Sequence, residues 1–428
     1  MSAMTRTEER LRDALGAAAA QVDDDRLRPL AGPAPEARQR RPGRLRGHRA
    51  FPAWLAPVAA ALSVLLVVAL AMSLTRGGRH PARPSDGYPL PAGFPRYVAD
   101  IYQDGVAVRS TSTGAVVTTA MTPDVPGWQL FPQTVAAAPD DRSFYIAYDA
   151  SDETGAQPRQ IWIYQLTWSH GGSANSLSWI RGNPVPGSDV LAIDGSMAVS
   201  PDGTRLALTA ASPARVAEPD SRVWPDEIIV IDLRTGTRSV WRGGLSHPGR
   251  TFTVPGLAWA PDSRSLVFRA IWCRPVPNTN QCADTPGRLG YRGTQVRSLD
   301  AAAGGGTLSR STVLLAQSAR YPDIADAVPG PRGELTLAVL SGSPDAARLT
   351  VERVTAARGS EPVVLYRSRA YGTAGLPDSV TLGLDAAGRY LTLTYPSGAG
   401  YVSGWIDHGI LRFLPAEHPG PGLIITAW

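Results

Sequence analysis

The chain has 428 residues, 42 basic residues (all Arg), 37 acids and two Cys, with a formal charge of +5, so the length admits one large repeat domain together with a tail. The charge is uneven: residues 1–52 hold eleven Arg against seven acids, residues 76–83 add three Arg, and the remainder carries twenty-eight Arg against thirty acids. A near-neutral body lacks the electrostatic footprint of phosphate binding, which counts against nucleic acid as a partner.

Residues 5–22, TRTEERLRDALGAAAAQV, are predicted to form one amphipathic helix. Thr5 and Glu8 make a capping box, and Leu11, Leu15, Ala18 and Val22 recur at helical spacing. Asp23, Asp24 and Asp25 end it, and the Arg-, Pro-, Gly- and Ala-rich stretch to Pro52 has little to bury and is expected to be disordered. Such a helix is either frayed or a docking peptide, because a narrow apolar stripe gains stability mainly when another surface covers it. Residues 1–52 are read as a cytoplasmic tail.

Residues 53–74, AWLAPVAAALSVLLVVALAMSL, run without a charge. As a helix they would reach ~33 Å at about 1.5 Å per residue, against a bilayer core of roughly 30 Å. Pro57 falls in the first turn, where a missing N–H does little harm. Arg38, Arg40, Arg41, Arg44, Arg46 and Arg49 precede the run, and fewer Arg follow it, so the N-terminus is expected in the cytoplasm and the remainder of the chain outside the membrane. A cleaved signal peptide ending near Ala69-Leu70-Ala71 is the competing reading; the long preceding region and the long apolar run argue against it.

The tail resembles the N-terminal peptides of actinobacterial membrane proteins that accompany extracytoplasmic-function sigma factors. The resemblance implies a cytoplasmic partner for the tail helix. The His and Cys-x-x-Cys pattern of zinc-binding anti-sigma proteins is absent, so the resemblance does not extend to that type.

Residues 75–95 include RGGRHPARPSDGYPLPAGFP, with five Pro and four Gly, and read as a linker. From residue 96 to 428 a pattern recurs: VAAAPDDRSFYIAY from Val135, MAVSPDGTRLALTA from Met197 and LAWAPDSRSLVFRA from Leu257. Degenerate copies follow from Ala327 and Leu382, and aligning Pro139, Pro201, Pro261, Gly330 and Ala386 gives spacings of 62, 60, 69 and 56 residues. Repeats on this scale point to a propeller or a solenoid. In Pro201-Asp202-Gly203, Pro fixes φ, Asp bonds back to the local backbone and Gly accepts a positive φ, so the chain reverses. Pro139-Asp140 and Pro261-Asp262 repeat the turn, and a second strand pair around a Thr-Gly turn, as in IIVIDLRTGTRSVW from Ile228, gives four strands per unit.

SPDGTRLAL, Ser200 to Leu208, resembles the Pro-Asp repeat of TolB-like and WD-repeat-like propellers. The expected fold is therefore an all-β propeller of six blades, seven being the alternative count. Strands around Tyr97, Val106 and Val116 would join Leu423–Trp428 at the chain's end to close the ring.

Chemistry must be sought in a site, not inferred from the fold. No G-x-S-x-G occurs, and His48, His80, His170, His247, His408 and His418 form no pair at metal-ligand spacing, so they read as surface or loop residues. No cofactor, metal or catalytic residue is assigned. Cys273 and Cys282 bracket RPVPNTNQ and are expected to bridge in an oxidising compartment. Trp162, Trp241, Trp259 and Trp405 lie in or beside strands and read as blade packing. The reading favoured is a membrane-anchored sensor or scaffold binding a protein or small ligand outside. The alternative is a cell-envelope lactonase, lyase or hydrolase.

The binding face follows from loop lengths. In a four-stranded blade the first and third turns lie on one face of the disc, and the second turn and interblade link on the other. Insertions near 150–160, 211–226 and 274–293 are placed at second turns, and stretches near 170–188 and 242–255 at interblade links. On that face Trp224, Arg288, Tyr291 and Arg292 are the candidate contacts, since aromatic and Arg side chains carry most interface energy.

Overall fold

The computed structural model describes residues 90–102, 104–157, 159–168, 175–185, 196–211, 226–243, 251–273, 293–342, 347–355, 361–368, 380–385, 389–397, 400–414 and 426–427. The expected tail helix, the apolar run 53–74 and residues 75–89 of the linker lie outside the described residues, as do Cys282 and the side chain of Cys273. Among the described residues no helix is long and apolar enough to cross a membrane.

The described chain forms six antiparallel blades. Blade 1 takes β1 (Tyr97–Tyr102), β2 (Gly105–Ser110) and β3 (Val116–Met121); blade 2 takes β4 (Trp128–Ala137), β5 (Ser143–Asp152), β6 (Gln160–Trp168) and β7 (Asn175–Trp179). Blade 3 takes β8 (Met197–Val199), β9 (Arg205–Ala211), β10 (Asp226–Asp232) and β11 (Arg238–Arg242). Blade 4 is β12 (Thr251–Trp259), β13 (Ser265–Cys273), β14 (Thr294–Asp300) and, after the two-residue β15 (Gly306–Thr307), β16 (Thr312–Ala316). Blade 5 is β17 (Asp323–Pro329), β18 (Leu335–Ser341), β19 (Arg348–Val354) and β20 (Val363–Arg367); blade 6 is β21 (Thr381–Leu384), β22 (Leu391–Ser397), β23 (Gly400–Asp407) and β24 (Ile410–Phe413). Finally β25 (Thr426–Ala427) returns to β1, with Ala99 opposite Ala427 and Asp100 opposite Thr426. The chain's end thus supplies the innermost strand of blade 1, and the count is six.

The reversal chemistry of the repeat is visible at each first turn. Asp140 accepts from the Arg142 and Ser143 amides and the Ser143 hydroxyl, and Asp262 does the same for Arg264 and Ser265. Asp202 takes the Thr204 amide and the hydroxyls of Ser200 and Thr204. Gly203 has φ 71°, and the equivalent positions hold Asp141 at 55° and Ser263 at 54°. The degenerate copies keep the turn by other means: Asp385 caps the amides of Arg389 and Tyr390, and Gly333 supplies a φ of 73°. Neighbouring turns also touch, since the Asp202 amide donates to Ser263 Oγ at 3.0 Å and Arg96 Nε to Asp141 at 2.9 Å.

Each sheet is apolar on both faces, because each is sandwiched between two others. Ile229 and Ile231 pack toward blade 2 with Leu206, Leu208 and Ile163, while Ile228 and Val230 pack toward blade 4 with Trp241, Trp259 and Phe268. This explains IIVI in the sequence: a strand buried on both sides reads as a continuous apolar run. Trp162, Trp241, Trp259 and Trp405 are all buried in such layers, and Trp259 Nε1 donates to the Ala198 carbonyl of the next blade at 3.0 Å.

Two features were not anticipated. After β14 the chain runs through residues 301–305 to lay β15 parallel to the outer strand of blade 3, pairing Gly306 with Trp241 and Thr307 with Arg242. The strap covers an otherwise open edge. It fits only as glycine at Gly305, where a Cβ would lie 2.9 Å from the Val240 carbonyl oxygen at a φ of +110°. Second, Asp326 on β17 is buried: its oxygens accept from the Ala327 amide at 2.8 Å and from the Leu382 amide of blade 6 at 2.7 Å. Burial pushes its carboxyl up, while Arg269 of blade 4 and the two amides pull it down. A Cβ on Gly256 would come within 2.7 Å of the same carboxylate, so one side chain keys three blades.

Candidate binding face

Strand order fixes which loops share a face. The 153–159, 212–225 and 274–293 connections join second to third strands, and 180–196 and 243–250 link blades, so all leave one face. One expected assignment is corrected. Asn175–Trp179 forms β7, hydrogen-bonded to β6, so residues 170–174 are a third turn on the opposite face; only the chain beyond Trp179 is an interblade link. Likewise β12 already begins at Thr251, which shortens the link expected at 242–255. On the other face the first turns are all short. The third turns there are short as well, save the strap-bearing 301–311 and the connection between β19 and β20.

Trp224 falls in the connection that ends at β10, and Arg288, Tyr291 and Arg292 in the one that ends at β14; all four lie outside the described residues. The turn residues Pro139, Asp140, Pro201, Asp202, Gly203, Pro261 and Asp262 sit on the opposite face. What the structure describes is the platform on which the loops stand.

On blade 2, Asp152 organises the second turn by accepting from the Thr154 hydroxyl at 2.6 Å and from the Ala156 and Gln157 amides at 2.9 Å. The Thr154 hydrogen bond, and after it the amides, hold its carboxyl below the usual range. Beside it Trp128, Trp162 and Trp179 form a run with ring centroids 5.0 Å apart at each step. Trp179 is 47 % exposed, as is Phe131 on the innermost strand, and these rings are apolar contact surface at the disc's edge and axis.

Two buried carboxylates stand at this face. Asp149 lies 3.4 Å from Arg159 Nη1, and its Oδ1 is buried with no hydrogen-bond partner among the described residues. Glu227, wholly inaccessible, accepts from Arg242 Nε at 2.5 Å through Oε2, and its Oε1 has no partner among the described residues. Burial pushes both carboxyls up, against the pull of Arg159 and Arg242 respectively. At the root of the 274–293 connection Gln317 Oε1 accepts from the Gly293 and Thr294 amides at 3.0 and 3.1 Å, and its side-chain amide donates to the Pro322 carbonyl. Sequence reasoning passed over Glu227, Asp149 and Gln317. The one available signal was an acid sharing the buried alternation of Ile229 and Ile231. Among the described residues no three His, Cys, Asp or Glu side chains come together, and His408 sits exposed in the third turn of blade 6.

No known protein family and no curated protein matches the chain. Solved structures do match. One is the nidogen/laminin complex, at 11 % identity over 77 % of this chain and 97 % of the other, with a TM-score of 0.41. A Bacteroides fragilis protein assigned provisionally as a 6-phosphogluconolactonase matches at 11 % identity over 78 % and 99 %, TM-score 0.40. The Dos1 propeller matches at 9 % over 74 % and 67 %, TM-score 0.37. At such values the matches say nothing about a ligand, and the six-bladed assignment rests on the strand pairing itself.

Proposed function

We propose that this chain is a membrane-anchored binding protein, a sensor or scaffold. Its propeller holds a protein or small ligand outside the membrane on the long-loop face, and its tail helix docks on a cytoplasmic partner. The observation that carries the reading is the gathering of the long second-turn connections of adjacent blades 3 and 4 on one face of a closed disc. Loops kept at such length on a rigid scaffold are where binding residues concentrate. The resemblance of the tail supports sigma-factor regulation as the cytoplasmic role.

The test is made on the full chain in membranes of its native host. Trp224→Ala, Arg288→Ala, Tyr291→Ala and Arg292→Ala combined should abolish cross-linking to the extracytoplasmic partner and leave the unfolding midpoint unchanged. Unaltered cross-linking would sink the loop face. Deleting residues 5–22 should remove cytoplasmic partners only. Protease added to spheroplasts should remove the propeller and spare a tag at Met1, and a digested tag would reverse the topology.

A further inference from the structure

Each blade ends at the rim of the disc in a strand with one side left over from its own sheet, and such an edge is a template for another strand. Five of the six rim strands are guarded. β3, β16 and β20 each carry one extra residue against the third strand of their blade, namely Val117, Leu314 and Leu365, and a bulge of this kind breaks the regular edge. β11 is paired by the strap. β24 is only four residues long and holds Arg412, 3.4 Å from Asp407.

β7 has none of these devices. It pairs with β6 in unbroken register, from Asn175 opposite Trp168 to Trp179 opposite Tyr164, and it stands last in its sheet, with no strand beyond it among the described residues. Its sequence, NSLSW, has no charge and no Pro. Ser176, Ser178 and Trp179 are exposed, and Leu177 is half-buried. The Ile180 amide donates to the Ile163 carbonyl. In an antiparallel ladder Ser176 and Ser178 therefore turn their backbone groups to β6, while Asn175, Leu177 and Trp179 turn theirs outward.

We propose that β7 is a self-pairing edge, through which two copies of this chain join as antiparallel strands about a twofold axis at Leu177. The outward groups set the register. Leu177 pairs with Leu177 of the partner subunit, and Trp179 with Asn175 of the partner subunit, so every outward N–H and C=O of β7 is taken. Charge selects a second copy as the occupant. Twofold pairing sets a strand against itself, so a charged edge meets like charge, whereas in β7 Ser176 meets only Ser178 of the partner subunit. The nearest charged residue in sequence, Arg181, is held on the Arg234 carbonyl at 2.9 Å, and the axis sends the two copies of it to opposite ends of the ribbon. On the face that carries Trp162 and Tyr164, the exposed ring of Trp179 lies diagonal to Leu177 of the partner subunit, within reach of an aromatic side chain.

The test uses the full chain in a mild detergent, where sedimentation should find a dimer at micromolar concentration. Ser176→Lys with Ser178→Lys sets Lys against Lys on both sides of the axis and should weaken the dimer about tenfold; Ser176→Glu with Ser178→Lys sets Glu against Lys and should restore it. Both combinations lie at exposed positions and lose the same contact between the Ser176 and Thr167 hydroxyls, so their unfolding midpoints should agree. Leu177→Cys should cross-link to its own copy through a short bifunctional thiol reagent, the two Cα atoms lying about 5.5 Å apart. Thr312→Cys on the bulged β16 should not. A monomeric parent, a dimer that the Lys combination leaves intact, or a Leu177→Cys chain that stays uncrosslinked would overturn the proposal.

Discussion

Three equivalent turn positions, Gly203, Asp141 and Ser263, all have φ between 54° and 71°, so they measure the cost of a left-handed residue within one molecule. Consider Gly203→Ala. The new Cβ would meet Pro139 Cγ at 3.4 Å and Cδ at 3.8 Å, ordinary contacts, so no steric term enters. What remains is the left-handed penalty of about 1–2 kcal/mol, offset by the roughly 0.4–1 kcal/mol that Ala gains by restricting the unfolded chain. The expected loss is about 1 kcal/mol. At Ser263 the same quantity appears with opposite sign. Ser263→Ala keeps the strain and loses the hydroxyl that accepts from the Asp202 amide, costing about 0.5–1.5 kcal/mol. Ser263→Gly loses the same bond but relieves the strain, and should fall near zero. The difference between the two Ser263 variants therefore isolates the backbone term and should equal the Gly203→Ala loss, about 1 kcal/mol. Urea unfolding of the full chain, read as midpoint times slope, checks it. If Ser263→Ala and Ser263→Gly prove equally stable, the repeat does not depend on left-handed turns as argued.

Gly305→Ala should peel the strap from blade 3, because the methyl group would meet the Val240 backbone and the strap cannot stay paired. Faster amide exchange in Arg238–Arg242 and concentration-dependent self-association by sedimentation are the expected signs, and unchanged exchange there would show that the edge needs no cover. Asp149→Asn with Glu227→Gln should change how stability depends on pH. Both carboxyls are pushed up by burial, so each contributes stability that is complete below its unfolded pKa and is lost as pH rises through the folded one. The double variant should therefore gain on the parent as pH climbs from about 4 toward neutral. Parallel stability-against-pH curves would show the carboxyls titrate normally.

The blades were legible in the sequence because their turns are local. Pro201-Asp202-Gly203 needs only its own few residues to reverse the chain, so its copies could be aligned, and even the degenerate ones at Gly330 and Ala386 fall in the matching turns. The outermost strand of blade 2 escaped notice because NSLSW offers no sustained alternation and follows a Gly-rich stretch that reads as loop. Asp326 was illegible for a different reason: its partners Leu382, Arg269 and Gly256 lie in three other strands, and no short-range pattern joins them. On the candidate face the lengths of the loops could be read, but Glu227, buried beneath the exposed guanidinium of Arg242, looked like any polar strand end.

The lock around Asp326 bears on how such a ring can change its number of blades. Propellers built from tandem repeats gain or lose a blade by duplication or deletion of one unit, and the disc tolerates this where neighbouring sheets meet only through apolar side chains, which repack at a slightly different angle. Between blades 4, 5 and 6 the meeting is not of that kind. The carboxylate occupies the space left by Gly256 and reaches the Leu382 amide at 2.7 Å, a geometry set by the angle between successive blades. A unit inserted there would pull the amide away and leave a buried charge without its donor. Descendants of this chain with more or fewer blades should therefore have kept the sector from blade 4 to blade 6 intact.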